Sequence, residues 1–299
     1  MRVSHAVATP RRAPRRKKKP WLLILAGTLL LLYPIVATIY NDHQLEKQAR
    51  YYAESVATID PPGLREQYLA EARAYNDQLQ KTGHHAAPPE PSTPGFEEYM
   101  KTLDAPETKG VMARISIPAI NVDLPVFHTT RSEVLYEGAG HMFGSSLPVG
   151  GPGTNTVISA HTGMVNASMF DELPKLKNGD IAIVDVMGQR LTYKMTSKVV
   201  VGPFDYESVT YEPGKDKMTL VTCTPYGINT DRLLVTLERV EPTASENTDM
   251  AGGITLSWWM KGILIVLVLA LLVILVMEWR RRARRKAAAA KAADSLSTT

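Results

Sequence analysis

The chain has 299 residues, 44% of them apolar and 21% charged, with a single cysteine. That is enough apolar material for a packed core, and it excludes both a disordered chain and a disulfide-built scaffold. The formal charge of +4 hides a division: residues 1–20 carry eight Lys/Arg and no acid, 279–299 carry seven Lys/Arg and one acid, and 41–257 carry 18 Lys/Arg against 28 Asp/Glu, a net of −10.

In chain order, a basic tail over 1–20 is followed by a charge-free apolar run from Trp21 to Tyr40. Twenty helical residues at about 1.5 Å each span roughly 30 Å, the thickness of a bilayer core. The run is longer than the apolar part of a signal peptide, and no A-x-A cleavage site follows it. Arg11-Arg12 and Arg15-Arg16-Lys17-Lys18-Lys19 abut this span, so they are read as a topological signal and not as a nucleic-acid patch. Residues 41–80 read as a helical segment outside the membrane, formed of two short helices over 41–60 and 63–80. Asp60-Pro61-Pro62-Gly63 separates them, since proline cannot continue a helix interior. Leu64, Tyr68, Ala72 and Leu79 fall near helical spacing on the second. Residues 81–110 hold five prolines and little periodicity, and read as an irregular arm.

From Gly110 the texture becomes β-type. The runs Met112–Ile117, Val122–Phe127, Thr156–Ser159, Ile181–Val186, Leu191–Val201, Met218–Cys223 and Leu233–Val240 are rich in β-branched residues, with turn signals between them. Seven or eight short strands over 111–242 predict a small closed or nearly closed antiparallel barrel. Short helical insertions are expected at Ser132–Glu137 and Met169–Leu176. A linker over 243–256 leads to a second span over 257–278, with Trp258, Trp259 and Trp279 placed as an aromatic belt, and then a basic tail over 279–299. Positive-inside bias puts both tails in the cytosol and 41–257 outside, which makes the lipid bilayer a partner through two spans. No nucleic-acid partner is expected.

A lone cysteine in an exported domain is either an inert buried thiol or a reactive one. In Lys217-Met218-Thr219-Leu220-Val221-Thr222-Cys223, strand alternation puts Met218 and Leu220 on the core face and Cys223 on the other. In the next strand Leu233, Val235 and Leu237 take the core face, so Arg232 projects away from it. If the two strands pair, thiol and guanidinium meet on one surface. Two histidines compete for an acid/base role beside them: His161, at the end of a strand-like run, and His141, in a Gly-rich turn. No His/Cys/Asp/Glu cluster has convincing metal spacing, and no phosphate-cradling Gly loop precedes a lysine.

Thr219-Leu220-Val221-Thr222-Cys223 resembles the T-L-x-T-C signature of the sortase family. The continuation Thr224-Pro225-Tyr226-Gly227-Ile228-Asn229-Thr230-Asp231-Arg232 looks like the pilus-assembling class C members. Ile117-Pro118-Ala119-Ile120-Asn121-Val122-Asp123, Ser146-Leu147-Pro148-Val149-Gly150-Gly151 and Ser159-Ala160-His161-Thr162-Gly163 add ordered matches, over about 111–241. The resemblance implies a mainly β fold, an eight-stranded barrel with short helices between N- and C-terminal transmembrane helices. It also implies a cysteine transpeptidase that cleaves an LPXTG-like sorting signal after its threonine. It makes Cys223 the nucleophile, selects His161 over His141 as acid/base, and gives Arg232 the stabilisation of developing negative charge. Thr222, Tyr226 and Asn229 are implied as substrate-binding or supporting residues, and neither cofactor nor metal is implied. The implied partners are pilin precursors that carry such signals, in a Gram-positive cell membrane. A peptidoglycan precursor is the alternative acceptor, and a non-enzymatic membrane-tethered scaffold is the remaining alternative. The arm over 84–105 sits where class C members carry a lid; the usual Asp-Pro-aromatic motif is not evident, and Phe96 in Ser92-Thr93-Pro94-Gly95-Phe96 is the nearest plug.

Overall fold

A computed structural model describes residues 20–61, 63–85, 92–241 and 256–297. The basic tract up to residue 19, the centre of the arm at 86–91 and the linker from 242 to 255 lie outside the described residues. Residues Ile35–Gly262 form one compact unit, which contains the barrel. The remaining described residues, 20–34 and 263–297, belong to two helices that are long and apolar enough to cross a membrane.

The first of these, α1 (Pro20–Ala57), does not stop where the apolar run ends. The sequence reading placed a separate helix at 41–60; instead one helix continues through it, because nothing between Ile35 and Ala57 breaks it. Past Tyr40 the helix is amphipathic: Leu45, Ala49, Tyr52 and Val56 recur on one face and are buried. The Tyr52 hydroxyl donates to the Met112 carbonyl at 2.9 Å and accepts from the Met187 amide at 2.9 Å, which fixes the helix to one strand and to the turn after Val186 at once. The proline break falls where expected, and α2 (Gly63–Thr82) follows it, burying Leu69, Ala72, Asn76 and Leu79. Asn76 clamps the backbone of Leu147, donating to its carbonyl at 3.1 Å and accepting from its amide at 2.7 Å. Such a buried, doubly used side chain costs about 1–3 kcal/mol to truncate.

Eight strands close the barrel: β1 (Val111–Ile117), β2 (Val122–His128), β3 (Ala139–His141), β4 (Thr154–Ser159), β5 (Ile181–Val186), β6 (Gln189–Val201), β7 (Asp216–Thr224) and β8 (Asp231–Val240). Their order around the barrel is β1-β2-β3-β4-β7-β8-β6-β5. The sequence reading expects an antiparallel barrel; instead β2 pairs with β3, and β4 with β7, in parallel. Parallel neighbours need long crossovers, and β4 reaches β7 only after β5 and β6 have gone round the other side. The three-residue β3 carries two small or polar positions in a Gly-rich turn and gives no alternation signal. Helix α4 (Ser132–Glu137) forms as expected, whereas the second insertion is reduced to a 3-10 turn at Leu173–Lys175. The barrel interior is filled from every strand by residues such as Met112, Ile115, Leu124, Ile158, Val184, Leu191, Leu220 and Val235. The last helix, α5 (Trp258–Ser297), runs on through the basic stretch after residue 278.

Candidate active site

Three strand ends meet at one edge of the barrel. In the β7–β8 ladder Cys223 is the direct partner of Arg232. Alternation works as the sequence implied: Met218 and Leu220 fill the interior with Leu233, Val235 and Leu237, and the opposite face carries Val221 and Leu234 below the Cys223–Arg232 pair. Val221 and Leu234 are themselves buried, in a second apolar cluster with Met142, Val157 and Val209. The thiol therefore stands above a dry apolar floor, where charges act through a lower dielectric than in water.

Strand β4 brings the histidine. Its register with β7 pairs Ser159 with Val221, and two residues further along each chain lie His161 and Cys223. The pairing continues past the end of β4: the Ala160 amide donates to the Val221 carbonyl at 3.1 Å, and the Thr222 hydroxyl to the Ala160 carbonyl at 2.9 Å. Thr222 is buried on the inner face, so it acts on this site by holding the residue before His161. The His161 ring lies 5.2 Å from that of Tyr136 on α4, and its Nε2 is buried without a hydrogen-bond partner. Burial lowers its pKa from the ordinary 6.5 and favours the neutral imidazole.

Asp171, which no motif marked, organises the turn after His161. Its Oδ1 accepts from the Thr162 hydroxyl at 3.0 Å and the Gly163 amide at 2.8 Å. Burial raises this carboxyl to about 6, against the Gly163 and Thr162 bonds, which pull it down. Tyr226, from the loop after Cys223, faces the same carboxyl and also favours its charge, although Oδ2 makes no well-aligned hydrogen bond. The phenol is pushed up to about 12, first by burial and then by Asp171. The two loops touch at their glycines: a Cβ on Gly163 would lie 3.4 Å from the Gly227 nitrogen. The only trace of Asp171 in the sequence is that it is the first charged side chain after His161.

Arg232 is half-buried, and its Nη1 donates to the Asp231 carbonyl at 3.0 Å and the Asn229 carbonyl at 3.4 Å. The Asp231 carboxylate faces elsewhere, accepting from the Thr230 hydroxyl at 2.7 Å. Asn229 is exposed, with φ +62°, and its structural contribution is the carbonyl offered to Arg232. His141 is the opposite case to His161. It is fully buried, with Nδ1 3.0 Å from the Tyr99 hydroxyl and Nε2 2.8 Å from the Ser146 carbonyl, and burial lowers it to about 4. Its ring nitrogens are consumed by the core.

Phe96, the expected plug, is packed into the apolar core. It opens the short helix α3 (Phe96–Lys101), is 8% exposed, and packs edge-on to Phe143 at 5.4 Å with Arg131 above its other side at 5.3 Å. An apolar ring between two core aromatics is worth more there than on an open groove. The arm before it crosses the barrel surface at His84, which stacks on Tyr211 with ring centroids 3.5 Å apart. Among the described residues no group of three or more His, Cys, Asp or Glu side chains is arranged to hold a metal ion.

Residues 115–240 match the family model of the Sortase domain. A solved structure of sortase C-1 from Actinomyces oris is 46% identical, covering 60% of this chain and 99% of its own, with a TM-score of 0.55. A lid mutant of sortase A from Corynebacterium diphtheriae is 38% identical over 62% of this chain and 98% of its own, with a TM-score of 0.56. Streptococcus pneumoniae sortase C, whose structure is described in terms of pilin substrate specificity, is 38% identical over 65% of this chain and 97% of its own, with a TM-score of 0.56.

Proposed function

This chain belongs to the sortase family, with class C sortases among its most similar solved structures, and we propose that it is a membrane-anchored transpeptidase that joins pilin subunits. The observation that carries the proposal is the convergence of Cys223, Arg232 and His161 at one edge of three neighbouring strands.

The proposed chemistry balances in two steps. His161, neutral at rest, takes the proton of the Cys223 thiol, and the thiolate attacks the carbonyl carbon of the threonine in an LPXTG-like signal. The carbon–nitrogen bond breaks, His161 returns its proton to the departing amine, and a thioester remains on Cys223. In the second step a lysine amine of another subunit attacks the thioester and gives a proton to His161, and the Cys223 sulfur leaves and takes that proton, which restores the thiol and the neutral imidazole. Arg232 carries a permanent charge and several donors, which suits it to the oxyanion that forms in each step. Its two carbonyl contacts hold the head beside the thiol without neutralising it. Thr222 and Tyr226 support the two loops, and Asn229 supports Arg232 through its backbone.

Two helices long and apolar enough to cross a membrane, with basic residues beside them in the sequence, support a barrel outside a cell membrane with both termini in the cytosol. The lid expected over 84–105 is proposed for the part of that arm before Phe96, the centre of which lies outside the described residues; in support, a relative of known structure is named for its lid. Transpeptidation decides the acceptor. The full chain is given an LPXTG-type peptide, a lysine-bearing pilin fragment and an amine from a peptidoglycan precursor. Amide product on the pilin lysine is expected, and it is lost in Cys223→Ala. Product chiefly on the precursor amine would make the chain a cell-wall anchoring enzyme instead.

A further inference from the structure

The edge of the barrel that carries the thiol also carries an apolar rim that the chemistry does not use. Residues 160–170 and 223–230 contain no Asp, Glu, Lys or Arg. Val165, at the tip of the first stretch, is 70% exposed, and Ile228, at the tip of the second, is 69% exposed. The opposite end of β7 has the reverse character: there Lys215 and Lys217 pair with Glu212 and Glu238. Eight steps of strand at about 3.3 Å separate the ends of β7 by roughly 26 Å.

The rim is tied to the places where both apolar helices end. The Thr38 hydroxyl of α1 donates to the Val165 carbonyl at 3.1 Å, and Asn41 donates to the Asn166 carbonyl at 2.9 Å. The Ser168 amide then donates to the Asp42 carboxylate at 2.8 Å. Thr38 lies two residues before the end of the charge-free run at Tyr40, roughly 3 Å inside it by helical rise. Asp42, the first charge after that run, lies about 6 Å beyond Thr38. The loop thus leaves the level of the apolar run at Val165 and reaches the polar level at Ser168. The second loop reaches α5 through Tyr226, whose ring packs edge-on to Trp258 at 5.5 Å. Trp258 is itself 58% exposed and begins that helix, the usual position of an interfacial anchor.

We propose that the loops after His161 and Cys223 rest on the bilayer, with Val165 and Ile228 immersed in its interface, so that the thiol faces the lipid surface. The bilayer is the occupant because the rim is continuous with the two helices that would cross it and because both loops lack charge. The proposal rests on the reading of α1 and α5 as membrane spans. It adds that a substrate segment must reach Cys223 along the membrane surface.

Single spin labels test this in the full chain, in a Cys223→Ala background, in nanodiscs of phosphatidylcholine and phosphatidylglycerol. Val165→Cys and Ile228→Cys are compared with Leu30→Cys in the apolar run and Lys215→Cys at the far end of the barrel. Collision with dissolved oxygen reports lipid, and collision with a water-soluble nickel chelate reports water. The labels at 165 and 228 are expected to shift from the nickel-accessible behaviour of 215 toward that of 30. Labels at 165 and 228 that match 215 while 30 stays in lipid would overturn the proposal and leave the spans standing. Labels shielded from both reagents would also overturn it, since protein and not lipid would then cover the rim. A water-exposed label at 30 would remove the membrane reading, and the proposal with it.

Discussion

Cys223 and Arg232 are direct partners across the last rungs of the β7–β8 ladder, and both point away from the barrel interior. The ladder sets the two residues side by side, and the Asn229 and Asp231 carbonyls hold the guanidinium. Under the proposed mechanism the cation stabilises charge that develops on a carbonyl bound at the thiol. Arg232→Ala is expected to lower the acylation rate by about 10²- to 10³-fold with little change in peptide affinity. Arg232→Lys should recover only part, since it keeps the charge but lacks the planar fork. Single-turnover kinetics separate the two effects; equal loss in affinity and rate would assign Arg232 to ground-state binding.

Thr222 tests how His161 is held. Thr222→Val keeps the shape of a buried side chain and removes the donor to the Ala160 carbonyl. A stability loss of about 1 kcal/mol is expected, together with slower peptide turnover and an unchanged rate of Cys223 alkylation. Unchanged turnover in the folded variant would show that this bond supports the barrel and not the histidine.

Asp171 and His141 act oppositely on stability over one range of pH. Folding raises Asp171 from 3.8 to about 6, so the folded protein takes that proton first. Its contribution is least favourable above pH 6 and improves as pH falls toward 3.8. Folding lowers His141 from 6.5 to about 4, so the unfolded chain takes that proton first, and stability is lost as pH falls through the same window. Asp171→Asn keeps an oxygen for Thr162 and Gly163 and removes the charge. Relative to wild type it is expected to be more stable above pH 6, losing up to about 3 kcal/mol of that advantage by pH 4. Urea melts across the range give the difference directly; a difference independent of pH would mean that the carboxyl is not buried as described.

Phe96 and the segment before it separate core from lid. Phe96→Ala is expected to cost about 3–5 kcal/mol, as for other buried aromatics, with no rise in peptide turnover per folded molecule. Excision of 84–105 would remove Tyr99, Leu103 and Ala105 from the core and is a poor test of a lid. Replacing 86–91 with a short glycine linker leaves α3 in place, and faster acylation is expected. Unchanged acylation would reduce the segment to a spacer.

Much of the barrel was legible because its strands alternate cleanly, and the pairing of Cys223 with Arg232 followed from that alternation and one assumption of neighbouring strands. The parallel neighbour of β7 was not legible. Nothing in Thr154–Ser159 names Asp216–Thr224 as its partner, and that pairing alone brings His161 to the site. The residue pattern left His141 and His161 open and the family resemblance chose between them; what occupies His141 came only with the fold, since Tyr99 is 42 residues from it in sequence. Phe96 misled because an aromatic in a proline-rich arm looks the same in sequence whether it plugs a groove or enters a core. The helix break at Asp60-Pro61 was marked by its own residues, whereas the absence of a break at Tyr40 was obscured by the change from apolar to charged composition.

The most direct measurement is the intact mass of the full chain after incubation with an LPXTG-type peptide. A mass gain equal to the peptide up to its threonine, with release of the C-terminal fragment and no gain in Cys223→Ala, is expected. Addition of a lysine-bearing pilin peptide should then discharge the adduct into an amide product. A folded protein that forms no adduct with a panel of sorting-signal peptides, before or after replacement of 86–91, would contradict the assignment of Cys223 as the acyl carrier.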